Sequence, residues 1–183
     1  MSGRRPRRPA DAQPTSPMDA KAARVAAFDL LARKAWSARE LTSRLTRRGA
    51  PADIARAVVA ELESQGYVND AGFAGWWAEA RARGRRVGSV RLAQELRAKG
   101  IAPALAAAAV TSAFDEVPES ERALQAARRR LPALRRSRPD RVAKRLGDYL
   151  LRRGYPARIA LAAVTRLLGR ADEAQEPGDE PRA

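Results

Sequence analysis

Leucines four apart, each pair closing on a glycine, recur three times along the chain. Leu41 and Leu45 precede Gly49, Leu92 and Leu96 precede Gly100, and Leu146 and Leu150 precede Gly154. In every copy the leucines stand eight and four residues before the glycine. A spacing of four places both on one face of a helix, with polar residues on the other. Ala50, Ile101 or Tyr155 follows the glycine directly, and Ile54, Leu105 or Ile159 lies five beyond it. Pro51 and Pro156 come second after the glycine, and the middle copy has Pro103 one place later. The glycine suits the left-handed position that ends a helix. The proline suits the first turn of the next, where its missing N–H costs little. Each copy therefore reads as helix, corner, helix.

The glycines are 51 and 54 residues apart. Helix pairs repeat at about 34–47 residues, so a third helix is expected ahead of each pair. Residues 20–35 supply the first, with Phe28, Leu31, Ala32 and Ala35 at helical spacing. Ser37 and Glu40 form a capping box for the next helix, and Trp36 can staple onto Leu41. In the second copy Asn69 caps a helix burying Phe73, Ala80 and one of the adjacent Trp76 and Trp77. In the third, Pro118 opens a helix carrying Leu124 and Ala127, which Pro132 ends or kinks. The predicted fold is all-α, an elongated array of three tandem three-helix repeats over residues 19–68, 69–114 and 115–169. Residues 1–18 read as a disordered basic arm and 170–183 as a disordered acidic tail.

Composition adds a partner class. The 183 residues carry 36 Lys plus Arg against 21 Asp plus Glu, a net charge of +15. Such an excess points to a polyanion, usually nucleic acid. Cysteine and histidine are both absent, so disulfides, zinc-finger ligands and Ser-His-Asp or Cys-His catalysis are excluded. No apolar run approaches the roughly 20 residues of a membrane span. A cytoplasmic, monomeric, non-enzymatic protein without cofactor or metal is expected.

The cations cluster. Arg81, Arg83, Arg85, Arg86 and Arg91 surround an expected turn at Gly84 and Gly88, and Arg97 and Lys99 close the following helix. A second group runs from Arg128 to Arg153. Within it Arg138, Arg141, Arg145 and Arg152 fall inside about 60° of a helical wheel, interrupted by Asp148. These are the candidate contacts to DNA phosphates or to an acidic protein surface; the alternative is a solvated helix face. Trp36, Tyr67, Phe73, Trp76 and Trp77 are expected to pack, as are Tyr149 and Tyr155. Asp115 with Glu116, and Glu119 with Glu121, fall in a linker and a helix first turn, where acids favourably meet the helix dipole.

One stretch carries more than periodicity: GYVNDAGFAGWWAEARARGRRVGSVRLAQELRAKGI, Gly66 to Ile101. It resembles the signature region of the bacterial RecX regulatory family. The residues that carry the likeness are Gly66 to Asp70, then Phe73 and Ala74, then Gly88, Arg91, Leu92, Glu95, Leu96, Lys99, Gly100 and Ile101. Gly72 departs from it, standing where the family usually has arginine. The resemblance spans roughly residues 20–168. It implies a modulator that binds the recombinase RecA and its filaments on DNA and restrains ATP hydrolysis and strand exchange. A nonspecific DNA-binding helical protein and a helical adaptor with other partners are the competing expectations.

Overall fold

The computed structural model describes residues 18–134 and 138–173. Among them nine α-helices follow one another, with no strand: α1 Ala20–Leu31, α2 Ala38–Arg47, α3 Ala52–Ser64, α4 Asp70–Ala80, α5 Ser89–Ala98, α6 Pro103–Ser112, α7 Glu119–Arg130, α8 Pro139–Arg152 and α9 Ala157–Glu173. A π-helical turn, Arg81–Arg85, extends α4, and a 3-10 turn, Leu131–Leu134, extends α7 beneath Pro132. The expected basic arm lies outside the described residues up to position 17, as does the acidic tail beyond Glu173.

The chain divides into two compact units at Asn69. The first holds α1 to α3 around Ala23, Ala27, Leu30, Trp36, Leu41, Leu45, Ala55, Val58, Val59 and Leu62. The second holds α4 to α9 and has two buried clusters. One centres on Phe73, Leu92, Leu96 and Ile101, the other on Leu124, Leu146, Leu150 and Tyr155.

The repeated corner is the same object three times. Gly49, Gly100 and Gly154 have φ of 99°, 83° and 84°, the left-handed region that a β-carbon disfavours. Each glycine N–H donates to the carbonyl of Thr46, Arg97 or Leu151, at 2.9–3.0 Å. The next N–H, of Ala50, Ile101 or Tyr155, reaches back to the second leucine of the pair, Leu45, Leu96 or Leu150, at 3.1–3.2 Å. This pairing of bonds is the Schellman cap, whose apolar contact joins the two residues so bonded. All six leucines are fully buried, each worth about 1.5–3 kcal/mol relative to exposure. Gly66 makes a fourth such cap at the end of α3, with φ of 78°.

Caps define the helix starts. The Asp19 carboxylate accepts from the Ala22 N–H at 2.7 Å, and the Ser37 hydroxyl accepts from the Glu40 N–H at 3.2 Å. Trp36, just before that cap, is buried and donates its indole N–H to the Leu30 carbonyl at 3.1 Å. Lys34 and Arg44 stack on its ring at 3.8 and 3.7 Å from the centroid.

Several expected faces are rotated. In α1 the buried residues are Ala23, Ala27 and Leu30, not Phe28 and Ala32. The helix stops at Leu31, and the Leu30 carbonyl near its end accepts both the Arg33 N–H, at 3.2 Å, and the Trp36 indole. Phe28 instead meets exposed Tyr67 edge to face at 5.1 Å. In α4, Phe73, Ala74 and Ala78 are buried and Ala80 is exposed. Trp77 is half-buried and Trp76 faces outward. Residues five past each corner glycine contribute less than the pattern suggests: Ile54 and Ile159 are half-buried and Leu105 is exposed.

Candidate anion-binding surfaces

Pro139 in the first turn fixes the start of α8. Leu146 and Leu150 point inward, and Arg138, Arg141, Arg145 and Arg152 are all exposed. Arg141, Arg145 and Arg152 stand on α8 itself, whereas Arg138 is the residue before it, with extended backbone. Asp148 is half-buried, and with Arg130, Leu134, Arg145 and Arg152 it rims a hollow of about 240 Å³. Arg135 and Arg136 lie outside the described residues.

The other arginine group is built by a tight approach of α5 to the corner between α8 and α9. The Gly88 N–H donates to the Arg153 carbonyl at 2.9 Å, and the Val90 N–H to the Gly154 carbonyl at 3.1 Å. Between them the Ser89 N–H donates to the Glu119 carboxylate at 2.7 Å. Three of the N–H groups that a helix start leaves unpaired are thereby satisfied across the junction. The Arg91 guanidinium donates to the Arg152 carbonyl at 3.3 Å, and the Arg153 guanidinium donates to the Arg85 carbonyl.

The chain between α4 and α5 does not turn at Gly84 as expected. The helix widens into the π turn through Gly84, and the left-handed residue is Arg86, with φ 50° and ψ 51°. The Arg86 and Val87 N–H groups both return to the Arg81 carbonyl, the latter at 3.4 Å. This carries Arg85 and Arg86 around toward α8.

An open depression of about 570 Å³ results, walled by Arg81, Arg85, Arg86, Arg91, Arg152 and Arg153 with Glu95, Tyr149, Gly84 and Val87. Six guanidinium groups face one carboxylate. That carboxylate is heavily used: Glu95 accepts from Arg81 at 2.8 Å, Arg91 at 3.2 Å and the Trp77 indole at 3.2 Å. Tyr149 has Arg153 over its ring at 5.0 Å and Arg130 at 5.7 Å.

Of the sequence candidates, Arg81, Arg85, Arg86 and Arg91 meet Arg152 here, although Arg91 and Arg152 are 61 positions apart. Arg97 and Lys99 do not join them. Arg97 is exposed and donates to the Ala93 carbonyl at 3.4 Å. The Lys99 ammonium lies 4.0 Å from the Trp77 ring centroid and 5.4 Å from that of Phe73. Sequence reasoning placed Arg153 in the second cluster without separating it from its neighbours, and missed Tyr149 in the wall and the hub role of Glu95. The i,i+4 spacing of Arg91 and Glu95 was the one available signal.

Of the acids in the two expected pairs, Glu116, Glu119 and Glu121 are engaged. Glu116 and Glu79 pair with Arg83, Glu121 meets Arg166 at 3.4 Å, and Glu119 receives Ser89. Among the described residues no three His, Cys, Asp or Glu are grouped to hold a metal ion, and no helix is long and apolar enough to cross a membrane. Two groups have displaced acidities. A hydrogen bond from Arg24 holds the Glu61 carboxyl below its ordinary range. Burial, reinforced by the nearby Glu119 carboxylate, pushes the Tyr155 phenol up to about 12.

Family models match the first six helices, α1–α3 and α4–α6. The first three-helix domain of RecX matches residues 23–62, and its second three-helix domain matches 69–110. Regulatory protein RecX of Streptomyces coelicolor is 36% identical over 159 residues, covering 86% of this chain and 84% of that one. The RecX of Amycolatopsis mediterranei is 33% identical over 144 residues, covering 79% and 82%. The crystal structure of RecX from Lactobacillus salivarius superposes with a TM-score of 0.73 at 17% identity, covering 81% of this chain and 96% of that one.

Proposed function

Because the chain belongs to the RecX family of regulatory proteins, we propose that it is a non-enzymatic regulator of the RecA recombinase. It binds the recombinase filament on single-stranded DNA and restrains ATP hydrolysis and strand exchange, in recombination, repair and the SOS response. The observation that carries this reading beyond membership is the cationic side of α8. Arg141, Arg145 and Arg152 are exposed on this helix and Arg138 just before it, and the buried Leu146 and Leu150 hold the helix in register. A side of this kind suits a polymer with regularly spaced negative charge. Regulation by binding needs a difference in affinity between two filament states and no catalytic group.

The net charge of +15 also favours a second reading, nonspecific binding to DNA alone. One experiment separates them. RecA ATP hydrolysis is measured on saturating single-stranded DNA with and without this chain, alongside co-sedimentation with preformed filaments. Inhibition that persists with DNA in excess, together with co-sedimentation, is the expected outcome. Inhibition that vanishes as DNA is added assigns the effect to competition for DNA. Absence of the chain from the filament pellet removes the recombinase as its partner.

A further inference from the structure

We propose that the depression beside Arg86 is a binding site for a compact polyphosphate, the linked phosphates of a free nucleoside di- or triphosphate. Three observations converge on it.

The first is unused donor capacity. Among the described residues, the guanidinium groups of Arg85, Arg86 and Arg152 have no hydrogen-bond or ion-pair partner, whereas Arg81, Arg91 and Arg153 are tied to Glu95 or to backbone carbonyls. The tied arginines are held positive charges in the wall. The untied ones have forks that can take phosphate oxygens in pairs. No carboxylate competes, since Glu95 already accepts three donors.

The second is backbone strain at the same place. Arg86 holds a left-handed conformation, φ 50°, that glycine adopts without cost. For an arginine the cost is about 1–2 kcal/mol. It directly follows the π-helical turn, a feature that recurs at functional sites. Arg85 and Arg86, adjacent in the chain, both line this one concavity.

The third is shape. The volume of about 570 Å³ lies within the range of about 300–1,000 Å³ typical of small-molecule sites. The charges converge on a hollow, to which the α8 row contributes Arg152 but neither Arg141 nor Arg145. Tyr149 in the wall has cations over its ring, so recognition falls on the phosphates rather than on stacking of a base. A bound polyphosphate would tie the Arg85–Arg86 segment to Arg152 across the α5 junction.

The test uses the full chain without recombinase or DNA, so its outcome is independent of the filament reading. Inorganic tripolyphosphate and, separately, ATP are titrated calorimetrically at about 0.15 M salt, where loose surface attraction is screened. Expected is saturable binding of one per chain, with the two ligands competing. The double variant Arg85→Ala, Arg86→Gly should weaken it by about tenfold or more. Glycine at 86 keeps the left-handed turn, and circular dichroism checks that the helices persist. Arg141→Ala with Arg145→Ala should bind as the parent does. The proposal is overturned if binding does not saturate, if the α8 variant loses as much as the Arg85–Arg86 variant, or if a short oligothymidylate displaces tripolyphosphate at equal phosphate concentration.

Discussion

Gly88 and Gly154 touch backbone to backbone: a β-carbon on Gly88 would stand 2.5 Å from the carbonyl carbon and oxygen of Gly154. The obstacle is main chain, so no rotamer change relieves it. Gly88→Ala should destabilise the second unit by about 1–3 kcal/mol, read as a lower urea midpoint. Gly147→Ala is the control. It lies within α8 with nothing within 4 Å of the added carbon, and should raise stability by about 0.5–1 kcal/mol.

Tyr155 is buried, and its hydroxyl has no hydrogen-bond partner. Its phenol is raised to about 12 in the fold, against about 10 in an unfolded chain. The neutral phenol is therefore favoured by folding. Its contribution is complete below pH of about 10 and is lost as pH climbs through 12. Urea midpoints measured from neutral to strongly alkaline pH should fall less steeply for Tyr155→Phe than for the parent. At neutral pH the variant should match or exceed the parent, because the hydroxyl it removes has no partner. A large loss at neutral pH would contradict the isolation of that hydroxyl.

Arg141→Glu with Arg145→Glu should weaken binding to DNA and filament while leaving the helical circular dichroism unchanged, since both side chains are exposed. If about five phosphates are engaged, log affinity for a single strand falls against log salt with a slope near −3.5. Removal of two contacts should shallow the slope by about 1.4. Affinity and slope both unmoved would take α8 out of the interface.

Ser37 is fully buried and caps α2. Ser37→Ala should cost about 1 kcal/mol. Trp36→Phe removes the indole bond to the Leu30 carbonyl, which keeps the Arg33 N–H, and should cost about 0.5–1.5 kcal/mol. Both are read by urea denaturation.

The helix order was legible because its signals are local. Leucine spacing, glycine corners, the Ser37 cap and Pro118 each act within a turn or two of chain. The face of α1 was not, because Phe28 is larger than Ala23 and Ala27 and draws the eye to the wrong side. Its small residues are buried instead, and the phenylalanine meets Tyr67. Arg86 was illegible for a different reason. Two nearby glycines advertised a turn, yet the chain spends its left-handed residue on an arginine. The meeting of Arg91 with Arg152 depends on two glycines far apart in sequence, and no local pattern encodes such a pairing. Clustering of the cations was visible from the sequence; which of them share a cavity was not.

Gly154 answers to two masters. It ends α8 with a positive φ, and a β-carbon there would fall 2.3 Å from that of Arg91. Its counterpart Gly49 answers only to the first, having open space around it. The last two repeats are thus a single cassette. A splice that exchanges or transplants one of them must carry α5 and the α8–α9 corner together, and the natural cut in this chain lies at Asn69.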